Sequence, residues 1–282
     1  MTGATGFIGN HLINELLKDE KNQVIATSRD IEKAKKCEWY TKVRYIDYDI
    51  NSNDISMNLY EFFEKPDFLI HLSWDGLPNY NSLIHIEKNI YTNYFFIKNL
   101  IENGLRNLSV TGTCFEYGML NGRLSEDMNT QPSNSYAIGK DTLRCFIGEL
   151  NKNYEFNFKW IRLFYMYGKG QSESSLLMLL DKAIQNNEKE FKMSGGEQLR
   201  DYLHISEVVL NIVQITKQEN SNGIINCCSG KPTSIRSLVK NYLNKRNCKI
   251  KLHLGYYPYS IYEPMAFWGD NKKLKQLKER DD

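Results

Sequence analysis

The sequence predicts an α/β protein with a doubly wound parallel sheet and a smaller carboxyl-side lobe. Short apolar, β-rich runs alternate with helical patterns, a glycine-rich turn precedes the first amphipathic helix, and the pattern loosens after about residue 168. A length of 282 residues suffices for two lobes with a buried core. With 41% hydrophobic and 25% charged residues, the composition is that of an ordinary globular protein rather than a disordered or fibrous one.

Each element of the sheet is predicted from its own pattern. Short runs of apolar and β-branched residues between polar turns predict strands over residues 23–27, 43–46, 68–72 and 108–111. Apolar residues spaced three and four apart predict helices, most clearly over residues 8–17, 90–102 and 136–151. Because helices separate successive strands, we expect the strands to run parallel and the helices to cover the sheet.

The turn before the first helix carries glycines at positions 3, 6 and 9. Backbone amides in such a turn, together with the dipole of the following helix, bind the pyrophosphate of a dinucleotide. The glycines allow the tight turn and the close approach of the ligand. The dinucleotide contacts predicted in this turn are Gly3, Thr5, Gly6, Phe7 and Ile8.

Only Met1 and Thr2 precede the first glycine, although a nucleotide-binding turn normally follows a β-strand. Either the sequence starts about five residues late, which we favour, or the sheet lacks its central strand. A missing central strand costs ladder hydrogen bonds and apolar area buried on both faces. An inactive truncated copy is therefore one possibility for this chain.

The residues after the second strand are expected to select the cofactor. About twenty residues past the third glycine come Ser28, Arg29 and Asp30. Arg29 can pair with a 2′-phosphate and Ser28 can hydrogen-bond it, whereas an NAD-selecting site usually places a carboxylate first. This order favours NADP(H), while Asp30 leaves NAD(H) possible. Asp49 and Ile50, after the next strand, stand where an adenine contact is expected.

Tyr136 and Lys140 lie four residues apart in a predicted helix, so they are neighbours on one face. A lysine ammonium beside a phenol lowers the tyrosine pKa from about 10, so that the phenol can act as a general acid or base nearer neutrality. Thr113 follows the strand at 108–111, where its hydroxyl can bind the same carbonyl oxygen. With the glycine turn, these residues predict a catalytic site.

Charge and cysteine usage exclude several classes of partner. Lys and Arg exceed Asp and Glu by only 36 to 34, so the net charge of +2 indicates neither nucleic acid nor an anionic membrane. The six cysteines form no CxxC pair and have no tight spacing with histidines, which argues against a metal site and a disulfide framework. No apolar stretch approaches the ~20 residues that cross a bilayer, and we expect a cytoplasmic protein.

These motifs together resemble the extended short-chain dehydrogenase/reductases, the NAD-dependent epimerase/dehydratase family that acts on nucleotide sugars. The resemblance runs through residues 2–9, 93–100, 111–118, 136–140, 162–170 and 200–208. It implies a Rossmann domain for the cofactor over residues 1–168, to which about 205–230 return. It also implies a nucleotide-sugar-binding lobe over residues 169–204 and 231–282.

The resemblance implies roles for particular residues. Thr113, Tyr136 and Lys140 match the catalytic residues of the family. Asn93 matches a helix asparagine associated with its proton relay, although a structural role at a helix kink is the alternative. The further cofactor contacts implied by the resemblance are Leu72, Ser73, Tyr136, Lys140 and Phe164.

The residues after Thr113 narrow the reaction. Sugar 4,6-dehydratases of the family have Thr-Asp-Glu here, whereas this chain has Cys114 and Phe115 after the threonine. Epimerase-reductases similar to GDP-fucose synthase have a cysteine two positions after the catalytic hydroxyl, where this chain has Phe115. Plain hydride transfer remains, in which Tyr136 protonates the carbonyl oxygen, Thr113 holds it and Lys140 binds the nicotinamide ribose.

Several residues at the carboxyl edge of the sheet are candidates for substrate binding. Trp74 and Tyr80 can stack on the sugar or nicotinamide, or pack under their loop. Glu116 can contact a sugar hydroxyl, or serve as a structural carboxylate. Arg200 matches the family position that pairs with the diphosphate of the nucleotide sugar. The predicted substrate contacts are Trp74, Tyr80, Cys114, Phe115, Glu116 and Arg200.

Residues 262–270 resemble bacterial 4-ketoreductases of 6-deoxyhexoses, such as dTDP-4-dehydro-6-deoxyglucose reductases and CDP-abequose synthases. The common epimerase pattern has an arginine in this segment. We therefore expect an NADPH-dependent reductase of a nucleotide-linked 4-keto-6-deoxyhexose in surface-polysaccharide (O-antigen) biosynthesis. A C4 epimerase with tightly bound NAD and a non-catalytic dinucleotide-binding regulator are the alternatives. The helices at 84–102 and 136–151, through which family members usually pair, imply a homodimer.

Overall fold

The computed structural model describes residues 1–52, 56–218, 222–259 and 263–279. Four parallel strands form its central sheet: β3 (Leu69–His71), β4 (Asn107–Thr113), β6 (Asn157–Leu163) and β10 (Gly223–Cys227). They pair in the order β10, β6, β4, β3. β4 pairs with β6 along its whole length and both strands are almost entirely buried, as expected where helices cover both faces of a parallel sheet.

Residues 1–2 extend this sheet at the edge of β3. The amide of Thr2 donates to the carbonyl of Ile70 at 3.1 Å, and the amide of Thr27 donates to the carbonyl of Met1 at 3.0 Å. Thr27 belongs to β1 (Ile25–Ser28), which pairs in parallel with β2 (Arg44–Asp47). The strand order is therefore β2, β1, residues 1–2, β3, β4, β6, β10, with only two residues at the position of a central strand.

Helices pack on both faces of the sheet. On one face, α1, α7 and α9 contribute to a single buried cluster; these helices span Phe7–Leu16, Ile205–Lys217 and Lys272–Lys278. On the other face, α3, α4 and α5 contribute to a second cluster; they span Leu59–Phe62, Ile90–Glu102 and Ser135–Asn153. A short helix, α2 (Ile31–Lys35), packs its Ala34 beside Ala26 of β1. A single π-helical turn, His85–Asn89, leads into α4.

The carboxyl-side elements form smaller sheets around their own core. α6 (Leu176–Gln185) and α8 (Ile235–Lys245) pack against β8 (Glu190–Lys192), which pairs in parallel with β12 (Lys251–His253). A three-stranded sheet has the order β11, β9, β7, with spans Pro232–Ser234, Leu199–His204 and Tyr165–Tyr167. β5 (Gly122–Leu124) pairs with β13 (Phe267–Gly269). Because β9 runs directly into α7, and α7 is followed by β10, the chain returns here to the central sheet.

The predicted fold class, a Rossmann sheet with a smaller carboxyl-side lobe, is confirmed. Each of the four predicted strands is present, with ends displaced by one or two residues. The start of the predicted helix 84–102 is a π-helical turn rather than α-helix. Among the described residues, no helix is both long enough and apolar enough to cross a membrane.

Candidate active site

The glycine turn lies where β1, residues 1–2 and β3 meet at the carboxyl edge of the sheet. Gly3 has φ +67°, and a Cβ on it would lie 3.1 Å from both the carbonyl carbon of Leu72 and the amide nitrogen of Ser73. A Cβ on Gly9 would lie 2.2 Å from the carbonyl oxygen of Gly3, so α1 packs directly against the turn. α1 begins after Gly6, which offers no side-chain cap, and its first amides and dipole are available to an anion. This turn fits the pyrophosphate of a dinucleotide.

A buried hydrogen-bond chain connects the turn to α4. The hydroxyl oxygen of Thr2 accepts from the amides of Leu72 and Ser73 at 3.2 and 3.3 Å, so its hydrogen donates to Nδ1 of His71 at 2.9 Å. The Nε2–H of His71 then donates to Oδ1 of Asn93 at 2.7 Å. Burial lowers the pKa of His71 to about 3, which keeps the imidazole neutral.

Asn93 completes this chain at the junction of the π-helical turn and α4. Its side-chain amide donates to the carbonyl of Asn89 at 2.7 Å, and it is 2% exposed. Both ends of its side chain are therefore occupied inside the protein. This geometry favours the structural role at a helix kink over the proton-relay role.

Thr113, Tyr136 and Lys140 lie close together at the carboxyl end of β4 and the start of α5. Thr113 ends β4, while Asn134 caps α5 by accepting from the amide of Ala137, which places Tyr136 in the first helical turn. Burial raises the pKa of Tyr136 well above its usual range, and its hydrogen bond with the Thr113 hydroxyl opposes this shift. The phenol is consequently held in its protonated, proton-donating form.

Lys140 is buried beside the indole ring of Trp74. Its Nζ donates to the carbonyl of Thr111 at 2.9 Å and lies 4.2 Å from the centre of the Trp74 indole. Burial lowers the pKa of Lys140 to about 7, although the nearby Glu116 carboxylate raises it. Trp74 donates from Nε1 to Nδ1 of His85, so this loop packs against the π-helical turn. Trp74 thus takes the packing role and also lines the site.

The structure favours the second alternative for Glu116, a structural carboxylate rather than a contact to a sugar hydroxyl. It is fully buried, and its carboxylate accepts from the amide of Thr113 at 2.8 Å and from Nε of Arg162 at 2.6 Å. Nε1 of Trp160 donates to the same carboxylate at 2.9 Å. These contacts join the end of β4 to β6 and occupy both oxygens of the carboxylate, so Glu116 is not available to bind a sugar hydroxyl. The charged residue Arg162, inside an otherwise apolar stretch of β6, is the sequence feature that could have indicated a buried partner for Glu116.

Aromatic side chains lie between Tyr136 and the carboxyl-side lobe. The ring of Tyr80 lies 5.5 Å from that of Tyr136 and 5.3 Å from that of Phe115, which in turn lies 6.0 Å from Tyr165. Cys114 is buried beside them, and burial raises the pKa of its thiol well above the usual range. These residues form an aromatic wall, of which sequence reasoning missed Tyr165.

Arg200 lies in this region but is paired within the protein. Its Nη2 donates to Glu263 at 2.8 Å, and its side chain is 4% exposed. Tyr165 donates to the same carboxylate oxygen of Glu263 at 2.7 Å. The positive charge of Arg200, which was expected to pair with the diphosphate, is therefore balanced by Glu263. Glu263 belongs to residues 262–270, the segment that differs from the common epimerase pattern. Of that segment, Tyr262 lies outside the described residues.

The residues expected at the adenosine end all have partners within the chain. Ser28 and Tyr45 share a hydrogen bond of 2.9 Å between their hydroxyl oxygens. Arg29 donates from Nη1 to Asp75 at 2.8 Å, and Asp30 caps α2 by accepting from the amide of Lys33. The free guanidinium that favoured NADP(H) is thus engaged by a carboxylate.

The remaining residues predicted to contact the cofactor lie in different surroundings: one accepts a local hydrogen bond and the others pack in apolar clusters. Asp49 accepts a hydrogen bond from Asn51 at 2.8 Å, while Ile50 packs against the cluster that contains α4. Leu72 packs in the cluster of α1 and α7. Phe164 is buried in the cluster that contains Phe267 of β13.

Comparisons with known proteins agree with this geometry. The model of the NAD dependent epimerase/dehydratase family matches residues 1–228. The dTDP-6-deoxy-L-talose 4-dehydrogenase (NAD(+)) of Aggregatibacter actinomycetemcomitans is 31% identical over 270 residues, which are 95% of this chain and 98% of that protein. The dTDP-4-dehydro-6-deoxyglucose reductase of Escherichia coli is 28% identical, over 88% of this chain and 82% of that protein.

Solved structures match over the same extent. The UDP-glucuronic acid 4-epimerase from Bacillus cereus, in complex with UDP-glucuronic acid and NAD, superposes with a TM-score of 0.81 at 22% identity. The superposition covers 99% of this chain and 91% of that one, which establishes the shared fold. From the family match over most of its length and from the relative at 31% identity, this chain belongs to the NAD dependent epimerase/dehydratase family.

Proposed function

We propose that this protein reduces the C4 ketone of a nucleotide-linked 4-keto-6-deoxyhexose. The observation that carries the proposal is the burial of Thr113, Tyr136 and Lys140 together at the carboxyl edge of the sheet, beside a glycine turn shaped for a dinucleotide. Two relatives support this class of reaction, since one is named as a 4-dehydrogenase of dTDP-6-deoxy-L-talose and the other as a reductase of dTDP-4-dehydro-6-deoxyglucose. A thymidine diphosphate sugar is accordingly the first substrate to test.

The residues of the site suit a reductive proton transfer. When bound, the nicotinamide supplies the hydride that the carbonyl carbon receives. Tyr136 donates its phenolic proton to the carbonyl oxygen; burial keeps the phenol protonated in the free protein but raises its pKa, the opposite of the lowering expected from Lys140, and so opposes release of that proton. The Thr113 hydroxyl holds the same oxygen by a hydrogen bond. Lys140 lies one turn along the same helix face, where its ammonium can hold the nicotinamide ribose.

The aromatic wall formed by Tyr80, Phe115 and Tyr165 supports a deoxygenated sugar as substrate. A 6-deoxyhexose has an apolar methyl group, and its ring faces pack favourably against aromatic side chains such as Tyr80 and Phe115. Glu263 and Arg200 form an ion pair beside this wall, where Tyr165 donates to the Glu263 carboxylate. Residues 1–168 and 205–230 form the dinucleotide-binding domain in this proposal, while 169–204 and 231–282 hold the nucleotide sugar.

We propose NAD(H) rather than NADP(H) as the cofactor. The prediction of NADP(H) depended on a free Arg29, and this guanidinium is paired with Asp75. The relative at 31% identity carries NAD(+) in its name.

We also propose a homodimer. Large apolar side chains remain exposed on α4 and α5, and a second copy pairing through these helices would cover them. These residues are Tyr91, Phe95, Ile138 and Phe146.

The reaction is tested by following reduced-cofactor absorbance with dTDP- and CDP-linked 4-keto-6-deoxyglucose. We expect consumption of one reduced cofactor per sugar reduced. Tyr136→Phe removes the proton donor but keeps the ring, and we expect it to lower kcat by about 10²- to 10⁴-fold. Tyr154→Phe at the end of α5 is the matched control, because that hydroxyl bonds only to the surface residue Glu102 in the described structure.

The same assay separates the alternatives. With a 4-hydroxy nucleotide sugar supplied in place of the ketone, interconversion of its C4 epimers without net loss of reduced cofactor would assign the protein as a C4 epimerase. Tight dinucleotide binding with no turnover of either sugar, in wild type and Tyr154→Phe alike, would support the regulator.

A further inference from the structure

One ion pair joins the two loops that flank the glycine turn. Arg29 follows β1 and Asp75 follows β3, and they meet with Nη1 of Arg29 2.8 Å from Oδ2 of Asp75. Between these strands lie residues 1–2 and the turn itself, since the amide of Ala4 donates to the carbonyl of Thr27 in β1 and the amide of Thr2 donates to the carbonyl of Ile70 in β3. The pair therefore spans the opening of the groove in which a dinucleotide would lie.

Asp75 is held in this position from three sides. Nδ2 of Asn51, after β2, donates to the same Oδ2 atom at 3.2 Å. Nδ2 of Asn89, at the end of the π-helical turn, donates to the backbone carbonyl of Asp75 at 2.9 Å. The side chain of Asp75 is only 23% exposed, whereas that of Arg29 is 58% exposed. Asp75 is consequently the more buried and more extensively hydrogen-bonded partner of the pair.

We infer that Asp75 determines the choice between NAD(H) and NADP(H), an inference that rests on the proposed binding of a nicotinamide dinucleotide in this groove. A 2′-phosphate placed at the end of β1 would have to compete with Asp75 for Arg29, and would itself be repelled by the carboxylate. A neutral 2′-hydroxyl meets neither cost. Asp75 therefore acts against NADP(H), while the backbone contact to Asn89 keeps its loop in place.

The test uses dissociation constants of NADH and NADPH, measured by equilibrium dialysis with the full chain. Wild type should bind NADH more tightly. Asp75→Asn is isosteric and retains the backbone carbonyl that Asn89 contacts; it should improve NADPH binding about tenfold relative to NADH, because Arg29 is released to pair with the phosphate. Adding Arg29→Ala to this variant should remove the part of the gain that comes from pairing with Arg29 and leave only the part that comes from the lost repulsion.

Asp19→Asn is the matched control, because it removes the same charge from a surface pair with Lys217 remote from the groove. It should leave the NADPH to NADH ratio unchanged. The gain in Asp75→Asn should shrink as salt is raised, as expected for a partly exposed ionic contact.

The outcomes separate the inference from the proposal beneath it. If wild type binds NADH and Asp75→Asn leaves the ratio unchanged, the inference is overturned while dinucleotide binding stands. A wild type that prefers NADPH also overturns it. If neither nucleotide binds to wild type, both the inference and the proposed function are overturned.

Discussion

At the scale of the residue, the site is built from ionisable groups that burial penalises. Lys140 is 2% exposed, and its lowered pKa measures how strongly the interior opposes its charge. Its hydrogen bond to Thr111 and its contact with Trp74 offset only part of that cost. A residue kept under such a penalty is expected to serve the reaction rather than stability.

Lys140→Met should therefore raise the free energy of unfolding while abolishing activity. The pKa is about 7 in the folded protein and 10.5 ordinarily, so between these values the unfolded chain binds more protons. The penalty is thus complete below pH 7 and disappears as the pH rises toward 10.5. We expect a gain of about 2 kcal/mol at pH 6.5 after the lost contacts are subtracted. Urea unfolding at several pH values measures it.

Lys152→Met on the same helix is the control, because its side chain is 70% exposed and pairs only with Glu149 in the described structure. It should change the unfolding free energy by less than about 0.5 kcal/mol at any pH. A Lys140→Met protein less stable than wild type at pH 6.5 would show that the hydrogen bond to Thr111 outweighs the burial penalty.

At the scale of the element, the start of α1 is determined by contact between backbones. Gly9 lies where a Cβ would overlap the carbonyl oxygen of Gly3, a backbone atom that cannot rotate away. Gly148 of α5 is also helical, but a Cβ there meets no atom of the described chain within 4 Å. The two helical glycines are thus retained for different reasons, and alanine should affect them in opposite directions.

We expect Gly9→Ala to lower the unfolding free energy by about 1–3 kcal/mol and to weaken dinucleotide binding, since α1 must move off the turn. Gly148→Ala should instead raise it by about 0.5–1 kcal/mol, because alanine loses less conformational entropy in a helix. Thermal unfolding and NADH titration measure both. Equal effects of the two substitutions would contradict the close packing of α1 against the turn.

Elements with a local signal were predictable from the sequence. The helix spacing of Tyr136 and Lys140 and the glycines before α1 are such signals, and the structure brings both to the same edge. Strands of three residues, such as β7 and β13, are too short to have a visible period. The predicted roles of Arg29 and Arg200 depended on these side chains being free. Their partners are 46 and 63 residues away in the chain, and no local pattern reports such pairs.

At the scale of the whole molecule, one histidine connects the first residues of the chain to the sheet and to α4. His71 is fully buried and bonds to Thr2 on one side and Asn93 on the other. Thr2 occupies the narrow central position of the sheet, so this chain of hydrogen bonds supplements a two-residue ladder. The integrity of the sheet therefore depends on a neutral imidazole.

Acid should weaken the fold through this group. The pKa of His71 is about 3 in the folded protein and 6.5 ordinarily, so the unfolded chain binds the additional proton between these values. Its contribution to stability is complete above pH 6.5 and is lost as the pH falls, at about 1.4 kcal/mol per pH unit.

In His71→Gln, the unfolding free energy should be lower at pH 7 but should decline less steeply between pH 6.5 and 4. His11→Gln, at a half-buried residue of α1, is the control variant. The measurement is the free energy of unfolding in urea at several pH values between 6.5 and 4. If this free energy depended on pH equally in wild type and His71→Gln, the buried imidazole would be protonated without cost. The hydrogen bonds through Thr2 would then not limit the stability of the sheet.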